Sequence, residues 1–206
     1  MTISTLLKNG TSIGFKNLFP LIGTLTLYIV TIWIPYINVG TTIALYTLPA
    51  SMSRGEAISP THIFDSKYRE NMGNFFIILG LMSSAIFTGF LFMAIPGFIL
   101  MLTWILALPL LVDKGLNPMQ ALHESNLKTL GHKLTIFFTF LVSYIICIVT
   151  IFLLAALLML GGLEYGVLAS ILLLMIYIIV FVIYFAIQLG VMAEIYKQLV
   201  LDAEKK

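Results

Sequence analysis

Long apolar runs separated by short polar or proline-bearing joints dominate the pattern along this chain. They fall at about 18–34, 37–52, 75–95, 98–112, 134–160 and 167–193. A helix crosses the hydrocarbon of a bilayer with about 20 apolar residues, so the pattern predicts six transmembrane helices. The second and fourth runs are short for that task. The fifth and sixth are long enough to tilt or to project beyond the hydrocarbon. None alternates apolar and polar positions as a barrel strand does.

Composition agrees with the pattern. The 206 residues are 60% hydrophobic and 10% charged, where a soluble domain carries about 25% charged residues. The net charge of +2 is too small to suggest nucleic-acid binding. The basic residues inform through position. All 11 Lys and Arg lie on one side of the predicted spans: Lys8 and Lys16 before the first; Arg54, Lys67 and Arg69 after the second; Lys114, Lys128 and Lys133 after the fourth; Lys197, Lys205 and Lys206 after the sixth. The opposite joints, "IPYIN", "AIPGF" and "LGGLEYG", carry only the acid Glu164. The positive-inside rule makes the basic side cytoplasmic, with both termini there. The first run lacks the short apolar core and cleavage site of a signal peptide, so it is expected to stay in the membrane. The single Cys147 lies in an apolar run and reads as a packing residue.

A repeat underlies the runs. Pro49 and Gly55 are spaced as Pro109 and Gly115 are, and Pro60 and Gly73 as Pro118 and Gly131 are. "SIGFKNLF" at the start resembles "NMGNFFII" and "TLGHKLTI" further on. The expectation is one domain, 1–206, of three units (about 1–53, 54–113 and 114–206), each an interfacial segment, a glycine and a helical hairpin. Such repeats occur in transporters. Asn117 at the cap, Pro118 at the first position and Gln120 two residues on predict a capped helix running to Gly131. Ser59 and Pro60 predict the same up to Gly73. Short amphipathic helices bearing Lys or Arg lie in the headgroup plane. There Arg54, Lys67, Arg69, Lys114, Lys128 and Lys133 would meet anionic lipid, at about 1 kcal/mol each. The fold class is thus an all-α integral membrane protein: six transmembrane helices as three hairpins, with short cytoplasmic interfacial amphipathic helices.

Candidate chemistry is sparse. His123, Glu124 and His132 miss the spacing of a zinc HExxH helix. His62 and Asp65 share a helix face, but an exposed interfacial helix accounts for them equally well. Ser125 has no spaced triad partners, and no glycine motif cradles phosphate. No catalytic, cofactor-binding or metal residue is assigned, and no cofactor is expected. Polar side chains inside apolar runs are costly and therefore informative. Gln188, with Tyr184 one turn earlier, is expected to bond between helices or to line a ligand site. Asn38, Thr41 and Thr42 make the second run the most polar and a candidate interior helix. Glu194 and Lys197 are spaced to pair. Gly80, Ser84 and Thr88, then Ala85 and Gly89, then Ala186 and Gly190, form small-residue rows suited to close helix packing. Trp33 sits where an interfacial anchor is expected.

The stretch "AIPGFILMLTWILALPLLVDKGLNPMQALHESNLKTLGHKLTIF" resembles the YciC-type family of bacterial inner-membrane proteins. That family is related to the membrane domain fused to some glycerophosphodiester phosphodiesterases. Ile95-Pro96-Gly97, Pro109, Asp113 and Ser125 carry the likeness; the opening "NGTSIGFKN" and the ending "MAEIYKQL" also fit. The joint before the second run looks shorter than in some members. The resemblance implies a non-enzymatic role in envelope or lipid homeostasis in the bacterial inner membrane, with no catalytic residue to carry over. The expected partners are membrane lipids, the anionic inner leaflet and a membrane protein. The alternative is a small-molecule or lipid transporter or channel built from helical-hairpin repeats.

Overall fold

The computed structural model describes residues 1–160 and 166–204. The expected joint between the last two spans, Glu164 included, and Lys205 and Lys206 lie outside the described residues. Among those described, the chain is helical with no strand. The helices are α1 (Ile3–Lys16), α2 (Leu18–Thr31), α3 (Pro35–Ser53), α4 (Ser66–Glu70), α5 (Met72–Phe92), α6 (Ala94–Thr103), α7 (Ala107–Asp113), α8 (Pro118–Thr129), α9 (Lys133–Leu160) and α10 (Val167–Tyr196). A 3₁₀ turn, Pro60–Phe64, precedes α4, and a π turn, Lys197–Leu201, extends α10.

Among the described residues, four stretches are long and apolar enough to cross a membrane: Met72–Phe92, Ala94–Asp113, Lys133–Leu157 and Ala169–Leu201. A fifth is reached only if α1 and α2, which meet at 70°, count as one broken span. The expected second span, α3, is not among them. It is the central helix of the protein core. Ile43 and Ala44 pack with Ile63, Tyr68, Leu108 and Leu122. Ala50 packs with Leu6, Leu106, Leu110 and Tyr196. Leu48 and Met52 pack with Leu21, Ala186 and Ala193. A helix covered by protein on several sides can afford the threonines that a lipid-facing helix avoids.

The fourth span is broken between α6 and α7, and α8 repairs the break. The Ser125 hydroxyl donates to the Thr103 carbonyl at 2.7 Å and accepts from the Leu106 N–H at 3.2 Å. The Thr129 hydroxyl also donates to Thr103, at 3.3 Å. Backbone groups freed inside a membrane protein must find such partners. Helix α8 starts as expected, with Asn117 and Gln120 forming a capping box, and Gly131 turns the chain at φ +78°. One side of it is protein-packed, with Ala121, Leu122, Ser125 and Thr129 buried, while Met119, Leu127 and Leu130 stay exposed.

The matching helix expected over Pro60–Gly73 does not form as one piece. The Asp65 carboxylate accepts from the Lys67 N–H and its own backbone is extended at ψ 136°, so the chain is cut into the 3₁₀ turn and α4. Ser59 makes no side-chain cap, and Gly73 lies inside α5. The other repeat landmark has a structural counterpart. Arg54 and Lys114 both close a helix, and Gly55 and Gly115 follow at φ +72° and +63°.

Small residues divide into those that are used and those that are not. A Cβ on Gly190 would come within 2.1 Å of the Gly10 carbonyl, and one on Gly14 within 2.5 Å of the Ala186 carbonyl. So α1 lies in backbone contact along α10. Gly89 abuts Gly97 at the α5–α6 hairpin, whereas Gly80 has nothing within 4 Å.

Candidate functional site

Two polar constellations stand out, one at the basic end of the bundle and one beside α1, α9 and α10. At the basic end, Asp113 closes α7 and joins three elements. The Arg54 guanidinium, just past α3, donates to Asp113 Oδ1 at 2.6 Å, and the Tyr196 hydroxyl of α10 donates to Oδ2 at 2.5 Å. Arg54 also donates to Glu56. That bond is the main cause holding the Glu56 carboxyl below its usual range; the Glu56 carboxylate, then Asp113, push the Arg54 pKa up. Lys114 pairs with Glu204 at 2.8 Å, tying the chain end to the same corner. Tyr196 was not singled out from sequence, and no local signal marks it, because its partner lies far away along the chain.

The other basic residues are placed individually. Lys67 lies 3.8 Å from Asp65 and 4.9 Å from the centre of the Tyr68 ring. Arg69 donates to the Phe64 carbonyl at 2.9 Å, and its methylenes lie on Gly40. Lys133 donates to Asn126 at 3.2 Å, and Lys128 sits in the last turn of α8. His62 is 3.6 Å from Asp65 and meets the Tyr68 ring edge-on. Among the described residues, no three His, Cys, Asp or Glu side chains gather as a metal site.

The second constellation is a groove of about 170 Å³ with Leu7 and Thr11 of α1 on one side, Ser143, Ile146, Cys147 and Thr150 of α9 on another, and Val180, Ile183, Tyr184 and Ile187 of α10 on the third. Gln188 donates to the Ser143 hydroxyl at 3.1 Å, so the expected bond between helices is made. The buried Gln188 Oε1 atom has no hydrogen-bond partner among the described residues. Nearby, buried Glu194 does not pair with Lys197 as its spacing suggested. Its Oε1 accepts from Asn9 at 2.9 Å and Gln198 at 2.7 Å, and its Oε2 has no partner among the described residues. Helix α1 brings Asn9 to it across the glycine contact, so tertiary packing overrode the helical i, i+3 pairing.

Asn38, Thr41 and Thr42 form a separate group. Thr42 donates to the Asn38 carboxamide oxygen at 3.0 Å and lies 3.4 Å from the Tyr28 hydroxyl. Asn38 donates to the Ile32 carbonyl at 2.9 Å, and Thr41 bonds back to the Asn38 carbonyl. These bonds brace the α2–α3 turn, and none of them reaches Gln188 or Tyr184. No protein-family model, curated protein or solved structure matches the chain.

Proposed function

We propose that this is a non-enzymatic multi-pass protein of a bacterial inner membrane, with both termini cytoplasmic, that supports envelope or lipid homeostasis by binding lipid. The groove between α1, α9 and α10 carries this reading. It is lined mainly by apolar side chains, and it adjoins helices that protein hardly covers: only 6% of each apolar window on α9 and α10 is buried. An apolar recess opening from lipid-facing helices suits an acyl chain. Thr11, Ser143, Thr150 and Tyr184 are the few polar residues along it, and their hydroxyls could bond a lipid's polar groups. The charge asymmetry across the spans supports the orientation. The resemblance to the YciC-type family supports the inner-membrane assignment. The matched ends at Arg54–Gly55 and Lys114–Gly115 favour the three-unit repeat. The ionic side chains at the basic end hold helix ends together, which supports a structural rather than a catalytic use. A transport reading needs Asn38, Thr41, Thr42 and Gln188 around one cavity, and their bonds put them in two separate groups.

The test is mass spectrometry of the protein extracted with its surrounding native lipid. A lipid retained at fixed stoichiometry, and lost from an Ile146→Trp variant that fills the groove, is the expected result. Bulk lipid alone, unchanged by that substitution, would end the lipid-binding reading. A co-purifying protein in its place would make the cytoplasmic helices a docking surface.

A further inference from the structure

The first hairpin holds a contradiction. If α2 and α3 cross the membrane, the turn at Trp33–Pro35 is on the outer face and Gly40 lies close beneath it. Yet Arg69, from the cytoplasmic connection, lies on Gly40: its Cγ would be 3.0 Å from a Cβ there. The same connection follows α3 for much of its length. Tyr68 is buried against Ile43 and Ala44, and Lys67 and Asn71 share a cleft with Thr47, Ser51 and Arg54. Pro60 sits on Gly23 of α2, 2.7 Å from a Cβ there. From Gly40 to Arg54 is about 20 Å of helix at 1.5 Å per residue, all of it accompanied by the segment that carries Lys67 and Arg69. Placing that segment across the hydrocarbon would bury its charges in lipid, which membrane proteins avoid.

We propose that the α2–α3 hairpin does not cross: it dips into the leaflet on the side of Arg54 and Arg69 and returns to the same face, its tip seated among the acyl chains of that leaflet. The tip suits this partner. Trp33 is 86% exposed, Tyr36 66% and Val30 66%, with Ile29, Ile32 and Ile34 also exposed. From Gly40 to the tip at Pro35 is about 8 Å, matching the depth of about 5–10 Å at which interfacial segments sit. Aromatic rings prefer that zone. Part of the turn is closed internally: the Ile34 N–H donates to the Thr31 carbonyl, and Asn38 donates to the Ile32 and Ile34 carbonyls, which lowers the cost of seating the tip in lipid. Four crossings remain, by α5, α6 with α7, α9 and α10. The even number keeps the termini on one side and leaves every Lys and Arg where the charge rule puts it. The inference rests on the proposed orientation only for the name of the face.

The experiment uses the full chain in right-side-out and inside-out vesicles of native lipid, with Cys147→Ala as background and Tyr36→Cys or Met93→Cys supplying the one thiol. Met93 marks the far end of the α5–α6 hairpin. The expected result is that position 93 reacts with an impermeant maleimide from one face and position 36 does not react from that face. A fluorophore coupled at position 36 with a permeant reagent is then quenched by lipids brominated on their acyl chains. Reaction of both positions from the same face would overturn the proposal, since the hairpin would cross. Absence of quenching would overturn the leaflet as occupant and give the tip to a second copy or another protein. If position 93 reacts from the cytoplasmic face, the orientation proposed above fails, while the hairpin is still judged by whether 36 and 93 share a face.

Discussion

Asp113 shows how much a single side chain joins in this bundle. Its side chain is only 13% exposed, and its two oxygens hold Arg54 and Tyr196. Removing one partner of a shielded pair leaves the other charge unsatisfied. Asp113→Ala is therefore expected to destabilise more than Arg54→Ala, because it also strips Tyr196 of its acceptor. A double-mutant cycle between Arg54 and Asp113, read by thermal unfolding in lipid nanodiscs, should show coupling of about 1 kcal/mol. In a chain of this size that is a shift of about 2–4 °C. Additive losses would mean that the bond contributes nothing to stability. The residue scale is also where local sequence was most legible. Asn117 and Gln120 cap α8 because both partners sit within one turn, and Gly131 takes a left-handed turn that favours glycine. Asp113–Tyr196 and Asn9–Glu194 were not legible, because each joins side chains from distant parts of the chain.

At the scale of elements, the decisive contact is α1 along α10. Gly10 and Gly14 meet Ala186 and Gly190 with backbone against backbone, and association of helices in membranes depends on such close approach. Gly190→Ala would drive a methyl into the Gly10 carbonyl. The expected cost is about 1–3 kcal/mol, as for overpacking elsewhere, with α1 released to protease. Gly80→Ala, where nothing lies within 4 Å, should stay within about 0.5 kcal/mol of the parent. Equal losses at the two positions, in the same unfolding assay, would refute the distinction. In the sequence these two rows look alike: both are small residues at four-residue spacing. Only the partner separates them, and the Gly10–Gly14 row lay in a segment expected to be interfacial. Likewise the Pro60–Gly73 helix failed at Asp65, a residue that competes for backbone N–H groups and so favours a cap over a helix interior.

For the whole molecule, charge and apolar length together predict the topology. Lys67 and Lys128 belong to connections on the basic side, so Lys67→Cys and Lys128→Cys in the Cys147→Ala background should react with an impermeant maleimide from inside-out vesicles and not from intact cells. Reaction of either from outside would reverse or break the arrangement. Four stretches of the described residues pass as spans on length and apolarity, and two of them, in α9 and α10, stand largely clear of the rest of the protein. The compact part lies around α3, where α1, α7, α8 and the C-terminal half of α10 converge with the connections that carry the basic residues. The groove beside α1 forms where that compact part meets the bare helices.

The sequence by itself determined that the chain is helical and apolar enough for a membrane, and which joints gather its basic residues. Those properties are sums over local stretches: about 20 apolar residues satisfy a bilayer whatever lies beside them. It also determined the α8 cap and the glycine turn, where the interacting groups are neighbours. The tertiary structure alone decided that α3 is a core helix, since a protein-covered helix and a short membrane span share the same apolar residues. It alone decided that Gly10 and Gly14 lie on Ala186 and Gly190, that Asp113 finds Arg54 and Tyr196 and Glu194 finds Asn9, and that Gln188 and Asn38 belong to different sites. Each of these depends on contact between elements far apart in the chain, and neither hydropathy nor spacing encodes that distance.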